Sequence, residues 1–416
     1  MMVRVFLNAK EEKEILQGFL WVFDNEISHV KYQKSEGGEW VNRLLKDCDV
    51  PDGTIVEVCN KAGGFLGTGV LNKKSKIAIR LISSEHMDKV TENIPSFIDK
   101  KIADAVNYRR LYYSDTDSYR IFFAEADMLP GLIVERYVSE NGDIYLVVQF
   151  LAMACNIFRN EILESLKKHC NPDFIYQRAD EKINAKEGLE TVSAWIGKAG
   201  KEVLTITENE IKIKVDIVNG QKTGYFLDQK FNRREIQRFC HGKKVLDTFT
   251  HTGAFGLNAY KAGAREVTSV DISQEAVDMV NENIRMNNAG DKMIAVCADV
   301  FELLKDYENK GEKFDVIILD PPAFTKSAKT IEKAYGGYKE INLRAMRLLV
   351  PGGILITCSC SHFFDTDTFY DMIMHAAKDS HRRVQIFEKR GAGPDHPVLM
   401  GYPTSEYLKC AVTRVL

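Results

Sequence analysis

The chain is 416 residues long, with 45% apolar and 28% charged residues and a formal net charge of -3. That length is too great for one ordinary domain and predicts two or three, with the composition of a globular protein. The near-balanced charge excludes a chain-wide pull toward nucleic acid, so any such contact has to rest on local basic patches.

The start, "MMVRVFLNAKEEKEIL", is charged and lacks the long apolar core of a signal peptide. No run of about eighteen apolar residues is present to cross a membrane. The nine cysteines are scattered, and none has zinc-ligand spacing. Their odd number predicts free thiols in a reducing compartment, hence a cytoplasmic protein, and no metal site is expected.

The first piece runs to about residue 85. After the aromatic-rich "GFLWVFDNEIS" come "TIVEVCN", "FLGTGVLN" and "KIAIRLIS". These are rich in β-branched residues, lie between turn residues, and predict short strands of a small barrel. "NKKSK" puts Lys73, Lys74 and Lys76 on a loop tip, as a solvated turn or as an RNA contact.

The second piece, about 90–215, is α+β and carries no chemical motif of its own. "SFIDKKIADAVNYRRLYY" has helical apolar spacing at Phe97, Ile98, Ile102, Ala105 and Val106. "YRIFFAEADMLPGLIVERY", "IYLVVQF", "FIYQRAD" and "IKIKVDIV" predict strands, and "MACNIFRNEILESLKKHC" a second helix. Arg109 and Arg110 are expected to face solvent.

The third piece, 216–416, alternates strands and helices. The strands are "KKVLDTFT", "EVTSVDIS", "KMIAVCAD", "FDVIILDPP" and "GGILITCSCS"; the helices include "GAFGLNAYKAG", "EAVDMVNENIRMNN" and "YKEINLRAMRLLV". This pattern predicts a doubly wound, parallel, Rossmann-like α/β sheet, which binds ligands at the carboxyl ends of its strands. Four acids fall at those ends: Asp247, Asp271, Asp299 and Asp320. Gly253 opens the helix after the first strand, where backbone donors favour a polar ligand. Asp271 can accept from ribose hydroxyls and Asp299 from an adenine amino group; each is also a natural helix cap. A dinucleotide site would show G-x-G-x-x-G at the first turn, but Phe249 and His251 stand there instead and would hinder a pyrophosphate. S-adenosyl-L-methionine has none, and it is the expected cofactor.

The prolines of "LDPPAF" fix a rigid rim with exposed carbonyls, to which Phe324 adds an aromatic face for a flat base. In "ILITCSCS", Cys358 and Cys360 share a strand face and Ser359 points away. Cys360 is nearer the carboxyl end; Cys358 is expected to be structural. A thiolate adding to carbon 6 of a cytosine makes carbon 5 nucleophilic enough to take a methyl group, which is covalent catalysis.

In order, "NGQKTGYFLDQKFNR", "VLDTFTHTGAFGLNA", "VDIS", "ILDPPAF", "TCSCSHF" and "DHPVLMGYPTSEYLK" resemble the rRNA large-subunit methyltransferase I family over nearly the whole chain. The resemblance implies an N-terminal PUA domain, an RNA-binding pseudo-barrel, and a class I methyltransferase forming 5-methylcytosine in 23S rRNA. That substrate is naked rRNA or an early assembly intermediate, with no membrane involved, and a homodimer is compatible with the family. By motif position it implies cofactor binding by Phe226, Asp228, Asp247, Gly253, Asp271, Ile272, Asp299, Val300 and Asp320. It makes Cys360 the nucleophile and Asp320 a second catalytic residue, holding the base edge or orienting its loop.

The chain departs from the family in three places. Phe19 and Leu20 precede Trp21, where family members often show His-Pro. Ala323 stands where many 5-methylcytosine RNA enzymes carry a second cysteine, and a polar insertion, "YQKSEGGEWVNRLLKD", follows the first strands. Two alternatives remain: an amino-group nucleic-acid methyltransferase using "DPPAF", and an RNA-binding protein with an inactive methyltransferase domain. Asp395 and His396 read as a structural turn before a last strand more readily than as a catalytic pair. His362 reads as a helix cap.

Overall fold

The structure, a computed structural model, describes residues 2–34, 38–325 and 327–416. The chain forms two compact units. One gathers Met1–Glu202, Ile217–Tyr225 and Pro394–Ser405; the other gathers Val203–Asp216, Phe226–Gly393 and Glu406–Leu416. No helix among the described residues is long and apolar enough to cross a membrane.

The first unit begins with a seven-stranded sheet. Its strands are β1 (Val3–Leu7), β2 (Trp21–Phe23), β3 (Ile27–Gln33), β4 (Trp40–Arg43), β5 (Ile55–Cys59), β6 (Phe65–Leu71) and β7 (Ile77–Ser83). They lie in the order β2-β7-β6-β5-β1-β3-β4. The three strands read from the sequence are β5 to β7, an antiparallel meander. β1 pairs antiparallel with β3 and parallel with β5, so the curled sheet is joined through its first strand. Alternation along β1 buries Val3, Val5 and Leu7 in the core with Val30, Val58 and Ile79. β4 lies in the polar insertion, of which residues 35–37 fall outside the described residues.

Helix α1 (Ile94–Arg109) follows, then a five-stranded sheet of β8 (Tyr119–Phe123), β9 (Leu132–Val138), β10 (Ile144–Phe150), β11 (Phe174–Gln177) and β12 (Ala194–Trp195), with helix α2 (Arg159–Cys170) between β10 and β11. Arg109 corrects the expectation of a solvent-facing side chain, because it is fully buried. Its guanidinium donates to both Asp127 oxygens at 2.6 and 2.7 Å and to the Asp395 carbonyl at 2.8 Å. A paired carboxylate of this geometry is what permits burial of a charge. Asp395 and His396 are also buried in this unit. One Asp395 oxygen meets His396 Nδ1 at 3.0 Å, and the other accepts the Arg120 amide at 2.9 Å.

The second unit opens with a hairpin, β13 (Val203–Glu208) and β14 (Ile211–Asp216). Its main sheet comprises β15 (Lys244–Thr248), β16 (Glu266–Asp271), β17 (Met293–Cys297), β18 (Phe314–Leu319), β19 (Leu349–Ser359), β20 (Val384–Arg390) and β21 (Lys409–Val415), in the order β17-β16-β15-β18-β19-β21-β20. The first five are parallel; β21 runs antiparallel to both its neighbours. Helices α3 (Ala254–Lys261), α4 (Gln274–Met286), α5 (Val300–Asn309), α6 (Ile331–Leu348) and α7 (Thr366–Asp379) make the crossovers. Apolar residues such as Leu246, Ile317 and Leu355 are buried with Ile341 and Met346 of α6, as expected of parallel strands covered by helices. The chain winds outward from β15 in one direction and from β18 in the other. The crevice between their carboxyl ends is where such sheets bind ligands.

Candidate active site

Asp247 lies at the carboxyl end of β15, next to its last residue, and is fully buried. One of its oxygens, Oδ2, accepts from the Thr250 hydroxyl, from the Gly256 amide at 2.9 Å and from Ser269 Oγ at 3.0 Å. Burial, against those hydrogen bonds, raises its pKa to about 6. Its other oxygen, Oδ1, is buried with no hydrogen-bond partner among the described residues. The following turn is conformationally demanding: Phe249, His251 and Gly253 have φ of 57°, 53° and 80°. Non-glycine residues hold that region only where surroundings enforce it. Here the Thr250 amide reaches the Val270 carbonyl at 3.0 Å, and the His251 amide reaches Asp271 Oδ2 at 3.0 Å. A Cβ at Gly253 would come within 2.9 Å of Val280, so glycine is required twice over at this helix start.

Asp271 tips β16 and also accepts the Ser273 amide, through Oδ1, at 3.0 Å. Beside it Ile272 is 67% exposed, an apolar side chain standing free at the strand end. Asp299 caps α5, its Oδ1 accepting the Phe301 amide at 2.8 Å; the capping role foreseen for it holds. Val300 buries its side chain in the core with Leu304, so only its backbone can serve a ligand. Phe226 stands edge-on to His251, ring centroids 4.9 Å apart.

Around Asp320 lies a polar cluster. Gln229 Nε2 donates to Asp320 Oδ1 at 3.0 Å, and the Tyr407 hydroxyl donates to Asp228 Oδ2. Burial and then the Asp228 charge push the Asp320 carboxyl up to about 7. A carboxyl titrating near neutrality in a strand-end crevice is suited to moving or sharing a proton. Pro322 is exposed on the rim, whereas Phe324 packs inward, 4.5 Å from Tyr338 and 5.9 Å from Phe301 between ring centroids. That corrects the expectation of an aromatic face offered to a base: the ring is spent on the core.

The two cysteines of the β19 motif differ. Cys358 is fully buried opposite Cys410 on β21; hydrogen bonding to Cys410 and then burial hold its thiol well above the ordinary range. Cys360, just past the strand end, is partly exposed. Ser361 Oγ donates to the Thr325 carbonyl at 3.1 Å, clasping the cysteine loop to the loop that follows Asp320. His362 does not cap the next helix. Asp365 does, accepting the Thr368 amide at 2.8 Å, while His362 packs 5.3 Å from Tyr407. Gln229, Thr250, Ser269, Tyr407 and Lys409 carry no functional signal in the sequence. Each lies outside the strand-tip pattern and joins the site only through the fold.

The residues fit S-adenosylmethionine. An orphaned buried carboxylate oxygen, a strand-tip acid, an exposed Ile272 and a helix-capping acid are acceptors and apolar surface of the kinds its ammonium, ribose and adenine require. The fold is that of a class I methyltransferase. Consistent with it, residues 181–401 match the model of an S-adenosylmethionine-dependent methyltransferase family, and residues 5–84 match a PUA-like domain. The chain is similar to the ribosomal RNA large subunit methyltransferase I of Photobacterium profundum, 36% identical over 413 residues and 98% of each chain. It is likewise 36% identical to that of Erwinia tasmaniensis over 100% of each chain. Among solved structures it shares its fold with a SAM-dependent methyltransferase from Streptococcus mutans, at TM-score 0.79, 23% identity and 100% coverage of each chain. It also shares it with a methyltransferase complexed with SAH, at TM-score 0.80, 22% identity and 100% coverage of each chain. The chain is an S-adenosylmethionine-dependent methyltransferase, and it belongs to the ribosomal RNA large subunit methyltransferase I family.

Proposed function

We propose that the protein is a cytoplasmic enzyme that methylates carbon 5 of a cytosine in large-subunit ribosomal RNA through a covalent Cys360 adduct. The carrying observation is the asymmetry of the two thiols: Cys358 is sealed against Cys410, while Cys360 stands partly exposed where the loop is clasped to that of Asp320. The resemblance to the family supports RNA as the substrate and the PUA-like part as an RNA contact.

Asp271, Ile272, Asp299 and the backbone around Gly253 would hold the cofactor, with Phe226 and Asp228 at its edge and the free Asp247 oxygen turned to its charge. Bound there, S-adenosylmethionine supplies an electrophilic methyl group. The Cys360 thiolate forms a bond to carbon 6 of the base, and the ring electron pair moves toward carbon 5. Asp320, with its raised pKa, holds the base edge and donates to ring nitrogen 3 as charge develops there. After carbon 5 is methylated its proton passes to solvent, the carbon 5–hydrogen electron pair re-forms the double bond to carbon 6, and the Cys360 sulfur departs as thiolate with the pair of the broken carbon 6–sulfur bond.

The test is methyl transfer from labelled S-adenosylmethionine to unmodified 23S rRNA by wild type, Cys360→Ala and Cys358→Ala, with the product nucleoside identified. The expected result is 5-methylcytosine, lost only in Cys360→Ala. An amino-methylated base, or activity in Cys360→Ala, refutes the covalent route and favours amino-group methylation at the Asp320-Pro321-Pro322 rim. No transfer with saturable cofactor binding absent would mark the domain as inactive.

A further inference from the structure

One buried charge beside the cysteine loop takes no part in the reaction just described. Lys409 opens β21 and is 4% exposed, although its sequence neighbours Leu408 and Cys410 are apolar. Its Nζ donates to the Ser361 carbonyl at 2.7 Å and to the Tyr407 carbonyl at 2.8 Å. Ser361 directly follows Cys360, so the first of these bonds fixes the backbone from which the thiol projects. Ser361 is also held through its hydroxyl by Thr325, and the cysteine loop is thereby pinned from two sides. Two of the ammonium's three N–H donors are spent on these carbonyls. A fixed positive charge is therefore kept inside the protein where an apolar side chain would satisfy the strand.

We propose that Lys409 is a positioning residue for Cys360: it pins the loop that aims the thiol and supplies the positive charge that favours the thiolate. The inference rests on the reading of Cys360 as nucleophile. Burial draws the Lys409 pKa down to about 8; of the charges acting the other way, Cys360 is the largest, ahead of Asp365 and Glu406. Among the described residues, the Cys360 and Asp320 charges both act on Tyr338 of α6, and His362 packs against Tyr407. Asp320, where ionised, disfavours a thiolate; Lys409 offsets it. The thiol proton passes to solvent, leaving a thiolate–ammonium pair, and low-pKa cysteines beside a lysine are the reactive ones.

The experiment is the pH dependence of Cys360 alkylation by iodoacetamide in the full chain, read by mass spectrometry for each cysteine peptide, in wild type, Lys409→Met and Lys409→Arg. The exposed Cys297 is the internal reference. In wild type the Cys360 midpoint should lie about one unit or more below that of Cys297. Lys409→Met should raise it by about one unit, an about tenfold slower reaction at neutral pH, whereas Lys409→Arg should stay near wild type. A wild-type midpoint at or above that of Cys297 overturns the proposal without recourse to any variant. So does an unmoved midpoint in Lys409→Met with Cys297 unchanged. If Cys360→Ala still transfers methyl groups, the nucleophile reading fails while the titration stands. If Cys360→Ala is inactive and Lys409→Met titrates like wild type, only the lysine's role fails.

Discussion

Replacing Asp271 with alanine removes one carboxylate from three tasks. Two are visible in the fold, the amides of His251 and Ser273 at 3.0 Å each. The third, under the proposed function, is the cofactor ribose. The two amides lie at a half-exposed position where water replaces the lost acceptor, so the unliganded fold should lose only about 1 kcal/mol. The ribose hydroxyls lose a charged acceptor, and hydrogen bonds to charged groups contribute roughly 1.5–3 kcal/mol, equivalent to about 10- to 150-fold in affinity. Release of the His251 amide also frees a turn with two non-glycine residues at positive φ, adding to the loss. Asp271→Asn keeps one acceptor oxygen and should fall between. Isothermal titration with S-adenosylhomocysteine measures this directly, alongside thermal melting without ligand. An Asp271→Ala affinity within about twofold of wild type, in a protein that melts normally, would refute the assignment.

Two further outcomes concern stability and pH. Arg109→Met leaves the Asp127 carboxylate, only 10% exposed, without its bidentate partner; the expected loss is roughly 3–5 kcal/mol in chemical denaturation, and a loss below about 1 kcal/mol would contradict the structural role given to the pair. Asp247 is an acid whose folded pKa, about 6, lies above its ordinary value of 3.8. The folded state therefore holds its proton longer, and this group's contribution to stability is complete below the lower value and declines as pH rises toward the upper one. Wild type should lose about 2 kcal/mol relative to Asp247→Asn between about pH 4 and pH 6, out of about 3 kcal/mol over the whole titration. Denaturation midpoints that track each other across that window would show the carboxyl to be ordinary.

Much of the second unit is legible because its signals are local. Strand, tip acid, glycine and helix recur within about thirty residues, and Asp247, Gly253, Asp271 and Asp320 fall where that rhythm predicts. What escapes is long-range. Nothing near Arg109 in the chain announces that Asp395, 286 residues on, will accept from it; the local pattern suggested only a polar residue at a helix end. Lys409 looks like any lysine before an apolar strand until β21 is laid beside β19. Phe324 sits in a motif that suggests a stacking surface, yet the packing of α6 and Tyr338 claims its ring. Local spacing can place a residue on an element, but its neighbours across the sheet are decided by the order of the strands.

That order has a consequence for synthesis. β21 lies between β19 and β20 but is made after both. Until residues 409–415 emerge, two strand edges stand open and β20 has no partner, the kind of exposed edge that invites pairing with another chain. The same late segment carries Tyr407 and Lys409 into the cysteine loop. A nascent chain of this enzyme thus acquires its sheet closure and its completed thiol environment in one final event, so incompletely translated copies would be prone to aggregation and lack the finished site.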